Sequence, residues 1–519
     1  MEFVCDSKYI ILPASDHAQK KRLLFYIDGT LVYDLVISLD YDEPDYRFPI
    51  NMERFRGKTI RVACGCDIDI VIEKSETAPF ERDGKYRPLA HYTAARGWLN
   101  DPNGLVFYNG KYLMFYQHNP AATTWENMHW GAAESNDLIH WQERDDALFP
   151  DEMGTVFSGS AIVDRKNVTG LKQGDEDTVL FFYTCAGNTS KASKGKPFTQ
   201  NLAYSTDGGK TLVRYGKNPL IGQIVEGNRD PKVIYYEPDD SYIMALFLEG
   251  HEFALFRSKN LLDWEEIQRI ELPGDAECPD FYPLALDGDK DNEKWIFSAA
   301  SDRYYIGSFD GGKFVPETEQ LRLNYGNSSY AAQSWSDVSD GRRIRTAFVT
   351  VVIPGMPFGS CMDIPQEMTL RTVNGALRLC ANPVPEIEKL YVDTNHFENF
   401  YIISGENFKQ KMKSKCCDIM LRIECGSSFQ LSLFGLDIEY RAAENILKCL
   451  EKEAFVQGEG GFLTLRVIFD TVYTEIFADG GSVFMGMTYI QDNALNRLTI
   501  SSENAHVEKL TVSEMKKFY

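Results

Sequence analysis

At 519 residues the chain is longer than one ordinary domain, and two or three are expected. With 44% hydrophobic and 25% charged residues it supports a large core, which excludes wholesale disorder. A net charge of −22, with no basic run and no apolar stretch of membrane-spanning length, excludes nucleic acid and membrane as partners and favours a neutral substrate.

The first residues show neither a basic n-region nor an apolar h-region of a secretory leader. The eleven cysteines are scattered and odd in number, Cys416–Cys417 is the one adjacent pair, and no C-x-x-C spacing occurs. Reduced thiols and a cytoplasmic address are expected. KRLLFYIDG (21–29) and LVYDLVISLDY (31–41) alternate as strands do and predict a small N-terminal accessory β-domain over residues 1–85. It ends near the polar stretch EKSETAPFERDGKYRP.

Short strands between turn signals follow, including LVFYNGKYLMFYQH (105–118), TVLFFYTCAG (178–187), KVIYYEPDDSYIMALFL (232–248) and KWIFSAA (294–300). A weak repeat runs through them. ESNDLIHW (134–141) resembles RSKNLLDW (257–264), and STDGGKTL (205–212) resembles SFDGGKFV (308–315). A unit of about four strands with a recurring corner suggests propeller blades over residues 86–382, with a sandwich as the alternative that periodicity leaves open. PEIEKLY (385–391) is helix-like and sits at a linker over 383–390. Beyond it, DIMLRIEC, FQLSLFGL, LTLRVIFD and YTEIFAD alternate as a C-terminal β-sandwich over 391–519 requires.

Three acidic residues, each next to or one residue from a proline, stand out. Asp101 lies in W-L-N-D-P-N-G, where Pro102 biases it towards an extended conformation and Asn103-Gly104 is expected to turn the chain. Asp230 lies beside Arg229, whose charge is expected to hold it ionised. Glu277, in D-A-E-C-P-D, has apolar and aromatic neighbours that are expected to raise its pKa by desolvation. Taken singly, each is more often an ordinary turn acid. Together they suit glycoside hydrolysis, which needs a carboxylate nucleophile and a protonated acid roughly 5–5.5 Å apart in retaining enzymes. Gln117, Trp125, Phe157 and Ser158 lie near them in sequence and suit a sugar pocket, although each aromatic taken alone is more often a core residue. His118 and His129 lack metal-ligand spacing and read as structural.

Six motifs resemble glycoside hydrolase family 32, the invertase, inulinase and levanase family. They are W-L-N-D-P-N-G (98–104), Y-Q-H-N-P (116–120), W-E-N-M-H-W-G (125–131), F-S-G-S-A (157–161), R-D-P-K-V (229–233) and E-C-P-D (277–280). The resemblance spans about 86–519 and implies an all-β fold: a five-bladed β-propeller followed by a C-terminal β-sandwich, here with an additional small N-terminal β-domain. It implies Asp101 as nucleophile, Glu277 as acid/base and Asp230 as transition-state stabiliser. Asn100, Gln117, Trp125, Phe157, Ser158 and Arg229 would line the terminal-fructose subsite, and Trp335 would border it. No metal or organic cofactor is implied.

The implied activity is retaining exo-β-fructofuranosidase. It would act on fructo-oligosaccharides, inulin- or levan-type fructans, or sucrose. M-G-T-V-F-S-G-S (153–160) resembles the inulinases and levanases more than sucrose-specific invertases. Two other readings stay open: a fructosyltransferase using the same intermediate, and a non-catalytic fructan-binding protein. An inverting arabinosidase-like enzyme fits less well, because its two acids stand farther apart. The family's Asp-Tyr-Gly is Asn324-Tyr325-Gly326 here, and its Pro-Arg-Glu is Pro365-Gln366-Glu367. Both departures bear on substrate preference. Self-association through the N-terminal or C-terminal β-domain is left open.

Overall fold

A computed structural model describes residues 1–65, 70–78, 82, 84–491 and 496–519. Within the polar stretch expected to close the first unit, residues 79–81 and 83 lie outside the described residues. Almost every element is a strand, and the helical turns are short 3₁₀ segments. PEIEKL is one of these, Pro385–Leu390, begun by Pro385, whose missing N–H costs nothing at a helix start.

The N-terminal unit has two antiparallel sheets. One orders Glu2–Val4, Thr59–Cys64, Lys21–Ile27 and Thr30–Ile37, and the other orders Tyr46–Asn51, Tyr9–Ala14 and Glu73–Ser75. Their inward residues, among them Ile10, Leu23, Phe25, Leu35 and Phe48, form one buried cluster. Alternation of period two puts these side chains on one face of each sheet.

Five four-stranded blades follow. Their innermost strands are Gly97–Tyr108, Thr155–Asp164, Arg229–Tyr236, Asp280–Leu286 and Tyr330–Ser334. The ring closes through Phe358–Met362, which pairs antiparallel with Arg343–Val352 of the last blade and parallel with Gly97–Tyr108 of the first. The four repeated sequence corners all occupy the same place, the connection between third and fourth strands of blades one to four. The physical reason is shared. Asp137 accepts from the backbone N–H of Ile139 and His140, Asp207 from Lys210 and Thr211, Asn260 from Leu262 and Asp263, and Asp310 from Gly312 and Lys313. Each is a side-chain oxygen standing in for a backbone acceptor in a tight turn.

The C-terminal part packs two six-stranded antiparallel sheets around Ile419, Leu431, Val467, Ile500 and their neighbours. It is tied to the propeller by buried polar groups. Asp470 accepts from the backbone N–H of Leu89 and Ala90 and bonds the His91 ring at 2.9 Å, while Glu475 accepts from the Ile364 N–H.

Candidate active site

The inner ends of the blades are irregular where function was expected. Pairing shifts register between Leu99 and Pro102, between Phe157 and Gly159, between Arg229 and Lys232, and between Tyr330 and Gln333. A bulge twists a strand and re-aims one side chain. Here the shifts bracket Asp101, Ser158 and Asp230 and fall next to Tyr330. Asp230, Glu277 and Cys278 hold φ of +66°, +60° and +41°. Such strain in non-glycine residues is held only where the surroundings over-determine it, and it concentrates at functional sites. Asn103-Gly104 does not turn the chain as expected. It lies within the strand Gly97–Tyr108, in a stretch where pairing shifts again between Asn103 and Val106. Gly104, at φ +54°, sits where a Cβ would press on Phe115, Trp130 and Phe181.

These irregular ends converge on one cavity of about 260 Å³, lined by Asn100, Asp101, Gln117, Trp125, Phe157, Ser158, Arg229, Asp230, Glu277, Tyr330 and Phe348. Nine of the ten candidate residues are thus brought together. Trp335 is not. It is buried in the core, stacked on Trp141 with its Nε1 donating to the Leu113 carbonyl, so it supports the fold behind the site rather than bordering it.

The carboxylates share a hydrogen-bonded shell. Asp101 accepts from Ser158 Oγ at 2.6 Å and from Asn100 Nδ2 at 3.0 Å, and Asn100 is itself held by Trp98 Nε1. Asp230 accepts from the Cys278 N–H at 3.1 Å, and its own N–H donates to Thr184 Oγ1. The Cys278 thiol lies between the two, 3.7 Å from Asp101 and 3.6 Å from Asp230. Glu277 accepts from Arg229 at 2.6 Å and from the Tyr330 hydroxyl at 2.7 Å. Its side chain is 35% exposed against 6% for Asp230, so Glu277 stands at the mouth and Asp230 at the floor.

Two electrostatic expectations are corrected. Burial does push the Glu277 carboxyl up, but the bonds from Tyr330 and Arg229 outweigh it and hold the group below its ordinary value. Arg229 favours the ionised form of Asp230 but is outweighed by burial. Its nearest approach there is 3.8 Å, and burial together with the charges of Asp101 and Glu277 raises Asp230 to about 7. Burial also raises Asp101, against the bonds from Ser158 and Asn100. Three acids with one nearby guanidinium therefore titrate as a unit that retains a proton to near neutrality.

Sequence reading missed Tyr330, Phe348, Cys278, Thr184 and Trp98. Tyr330 had a usable signal, since it immediately precedes the A-A-Q-S-W run, but its partner lies 53 residues away. Gln117 Nε2 is buried at the cavity without a protein acceptor, and Trp125 is half exposed at the rim, edge-on to Phe157. Both are groups that a polyhydroxylated ligand would engage. The two departures lie off the cavity lining. Asn324 donates to the Ser328 carbonyl and accepts from the Gly486 N–H, joining a loop to the sandwich. Gln366 accepts from Arg345, which is paired with Asp302.

A propeller-plus-sandwich fold with three carboxylates gathered in one cavity has the pair of acids that a glycoside hydrolase requires. The family model for the glycosyl hydrolases family 32 N-terminal domain matches residues 91–383, and the chain belongs to that family. It is 30% identical over 494 residues to a levanase of Bacillus subtilis, covering 84% of this chain and 71% of that one. It is 27% identical over 428 residues to an extracellular exo-inulinase of Aspergillus awamori, covering 70% and 79%. The structure of a β-fructofuranosidase from Schwanniomyces occidentalis complexed with fructosyl-erythritol superposes with a TM-score of 0.75 at 25% identity, covering 83% of this chain and 98% of that one.

Proposed function

We propose that this protein is a retaining exo-β-fructofuranosidase that removes terminal fructose from fructans or sucrose through a covalent fructosyl-enzyme. The observation that carries this is the shared cavity. Asp101 and Glu277 face one enclosed space, with Glu277 at its mouth. That space is smaller than the roughly 300–1,000 Å³ of ordinary ligand clefts, which suits one terminal sugar ring and not a chain threaded through.

In the first half-reaction Glu277 gives its proton to the glycosidic oxygen as the bond from that oxygen to the anomeric carbon breaks. Asp101 forms a new bond to the anomeric carbon, and the leaving sugar departs as an alcohol. In the second, ionised Glu277 takes a proton from water. The water oxygen bonds the anomeric carbon, the ester to Asp101 breaks, and fructose leaves with its configuration retained. The bonds from Tyr330 and Arg229 hold the Glu277 carboxyl below its ordinary value in the free enzyme, so the first step draws on the proton that the cluster holds near neutrality. Asp230 and Arg229 serve as grips on ring hydroxyls that tighten as positive charge develops on the ring.

Release of fructose from sucrose, inulin-type and levan-type oligosaccharides by the protein and by Asp101→Asn tests the reading. Rates falling by roughly 10³-fold or more support it, and equal release overturns the nucleophile. Longer oligosaccharides accumulating at high sucrose would identify transfer instead of hydrolysis. Short fructo-oligosaccharides are the first-choice substrate, given M-G-T-V-F-S-G-S. We also propose a reducing, cytoplasmic setting. The described cysteines are all free thiols, most of them buried, and activity confined to the cell lysate is the expected result.

A further inference from the structure

The family relationship leaves residues 1–78 without a role, yet the N-terminal unit is fastened to the propeller at several points, with Lys8 on Asp145, Asp34 on the Lys191 N–H and Tyr46 on the Gly355 N–H, and one of its holds falls on the segment that carries a cavity residue. The segment 119–130 runs from the second strand of the first blade to the third and carries Trp125. Two residues past Trp125, Asn127 is buried and sits at φ +49°, a conformation asparagine tolerates better than most residues. Its side chain copies a strand neighbour. Oδ1 accepts from the Val36 N–H at 2.8 Å, and Nδ2 donates to the Val36 carbonyl at 2.8 Å. Val36 is the penultimate residue of the edge strand Thr30–Ile37 of the N-terminal unit, so that edge is completed by a propeller side chain. The same Nδ2 reaches Asn119 Oδ1, whose amide holds the Thr124 carbonyl next to Trp125.

Two more ties flank this one. Ala121 is fully buried within the N-terminal apolar cluster, and the Tyr33 hydroxyl meets the His129 ring at 3.1 Å. The segment is thus gripped before, just after and beyond Trp125, while the indole itself projects half exposed at the cavity rim.

We infer that the N-terminal β-unit is a positioning element for substrate. By holding the 119–130 segment it fixes the Trp125 wall of the cavity, and so sets the affinity for the terminal sugar. This rests on the reading of that cavity as the fructose subsite. Asn127 does not touch substrate; it acts through Trp125.

The test is a double-mutant cycle in the full chain, with Asn127→Ala, Trp125→Ala and the double variant, each checked for folding by circular dichroism. KM and kcat are measured for fructose release from a short inulin-type oligosaccharide. N127A is expected to raise KM about tenfold, the worth of one well-made contact, with kcat within about twofold. In the W125A background it is expected to add nothing. Effects that multiply independently, or a loss confined to kcat, would overturn the inference. Should N127A not fold, Asn127→Gly adopts the φ of +49° without strain and removes the same two bonds to Val36, and the same cycle is read with it. If the unaltered protein releases no fructose from any substrate, the assigned activity fails but the brace is still readable. Hydrogen exchange over 119–130 must then rise in the Asn127 variant, and unchanged protection would overturn it.

Discussion

Asp230→Asn should make the protein more stable at alkaline pH while destroying its activity. The carboxyl is buried and its pKa is raised from 3.8 to about 7 by burial, which the Arg229 charge opposes, and by its two acidic neighbours. The folded state thus holds this proton more tightly than the unfolded state does. The stability it contributes is fully present below pH 3.8 and is lost as pH rises through about 7. The gap corresponds to about 4 kcal/mol at pH 8, a figure that belongs to the coupled cluster rather than to one residue. Asparagine has the same shape, still accepts from the Cys278 N–H and never ionises. At about 2 °C per kcal/mol for a large domain, the variant should melt roughly 8 °C higher at pH 8 and close to the parent near pH 4. Thermal melts of both proteins across that range, paired with fructose release, make the assay. A variant less stable than the parent at pH 8, or a difference that does not change with pH, would refute the electrostatic reasoning. The agreement of both outcomes would show a site kept strained for function.

Tyr330→Phe removes one of the two donors that hold Glu277 ionised, so the Glu277 carboxyl should rise towards its ordinary value. The limb of the kcat/KM profile governed by Glu277 is expected to move to higher pH with a drop of about tenfold or more, and a move to lower pH would contradict the assignment. Asp470→Ala deletes a fully buried acceptor of the Leu89 and Ala90 N–H groups and of the His91 ring, at a cost of about 3–5 kcal/mol. Denaturant midpoints should fall accordingly, whereas Lys413→Ala, breaking the exposed pair with Asp393, should change them by less than about 1 kcal/mol.

Much of the architecture is legible because local chemistry repeats. The corners beginning at Asp137, Asp207, Asn260 and Asp310 look alike in sequence because each needs a side-chain acceptor in the same turn. The three acids are legible because each has a proline at or near its C-terminal side. What sequence reading could not supply is the company each residue keeps across blades. The donors that reverse the pKa direction of Glu277 come from Arg229 and Tyr330, one blade away on either side. Trp335 was misplaced for a related reason. An aromatic next to a site motif can face the cavity or the core, and here Trp141 offers it a buried stack and Tyr112 an edge-on contact. Asn103-Gly104 has the composition of a turn, but strand pairing on both sides makes it part of a bulged strand. The N-terminal unit was legible as strands, and its grip on Asn127 was not, since the partner there is backbone.

The central claim is a double displacement on Asp101 with Glu277 as its proton partner. Following the anomeric form of the fructose first released, by proton or carbon NMR faster than mutarotation, tests it most directly. The account predicts β-D-fructofuranose as the initial product, and initial release of the α-anomer would contradict it.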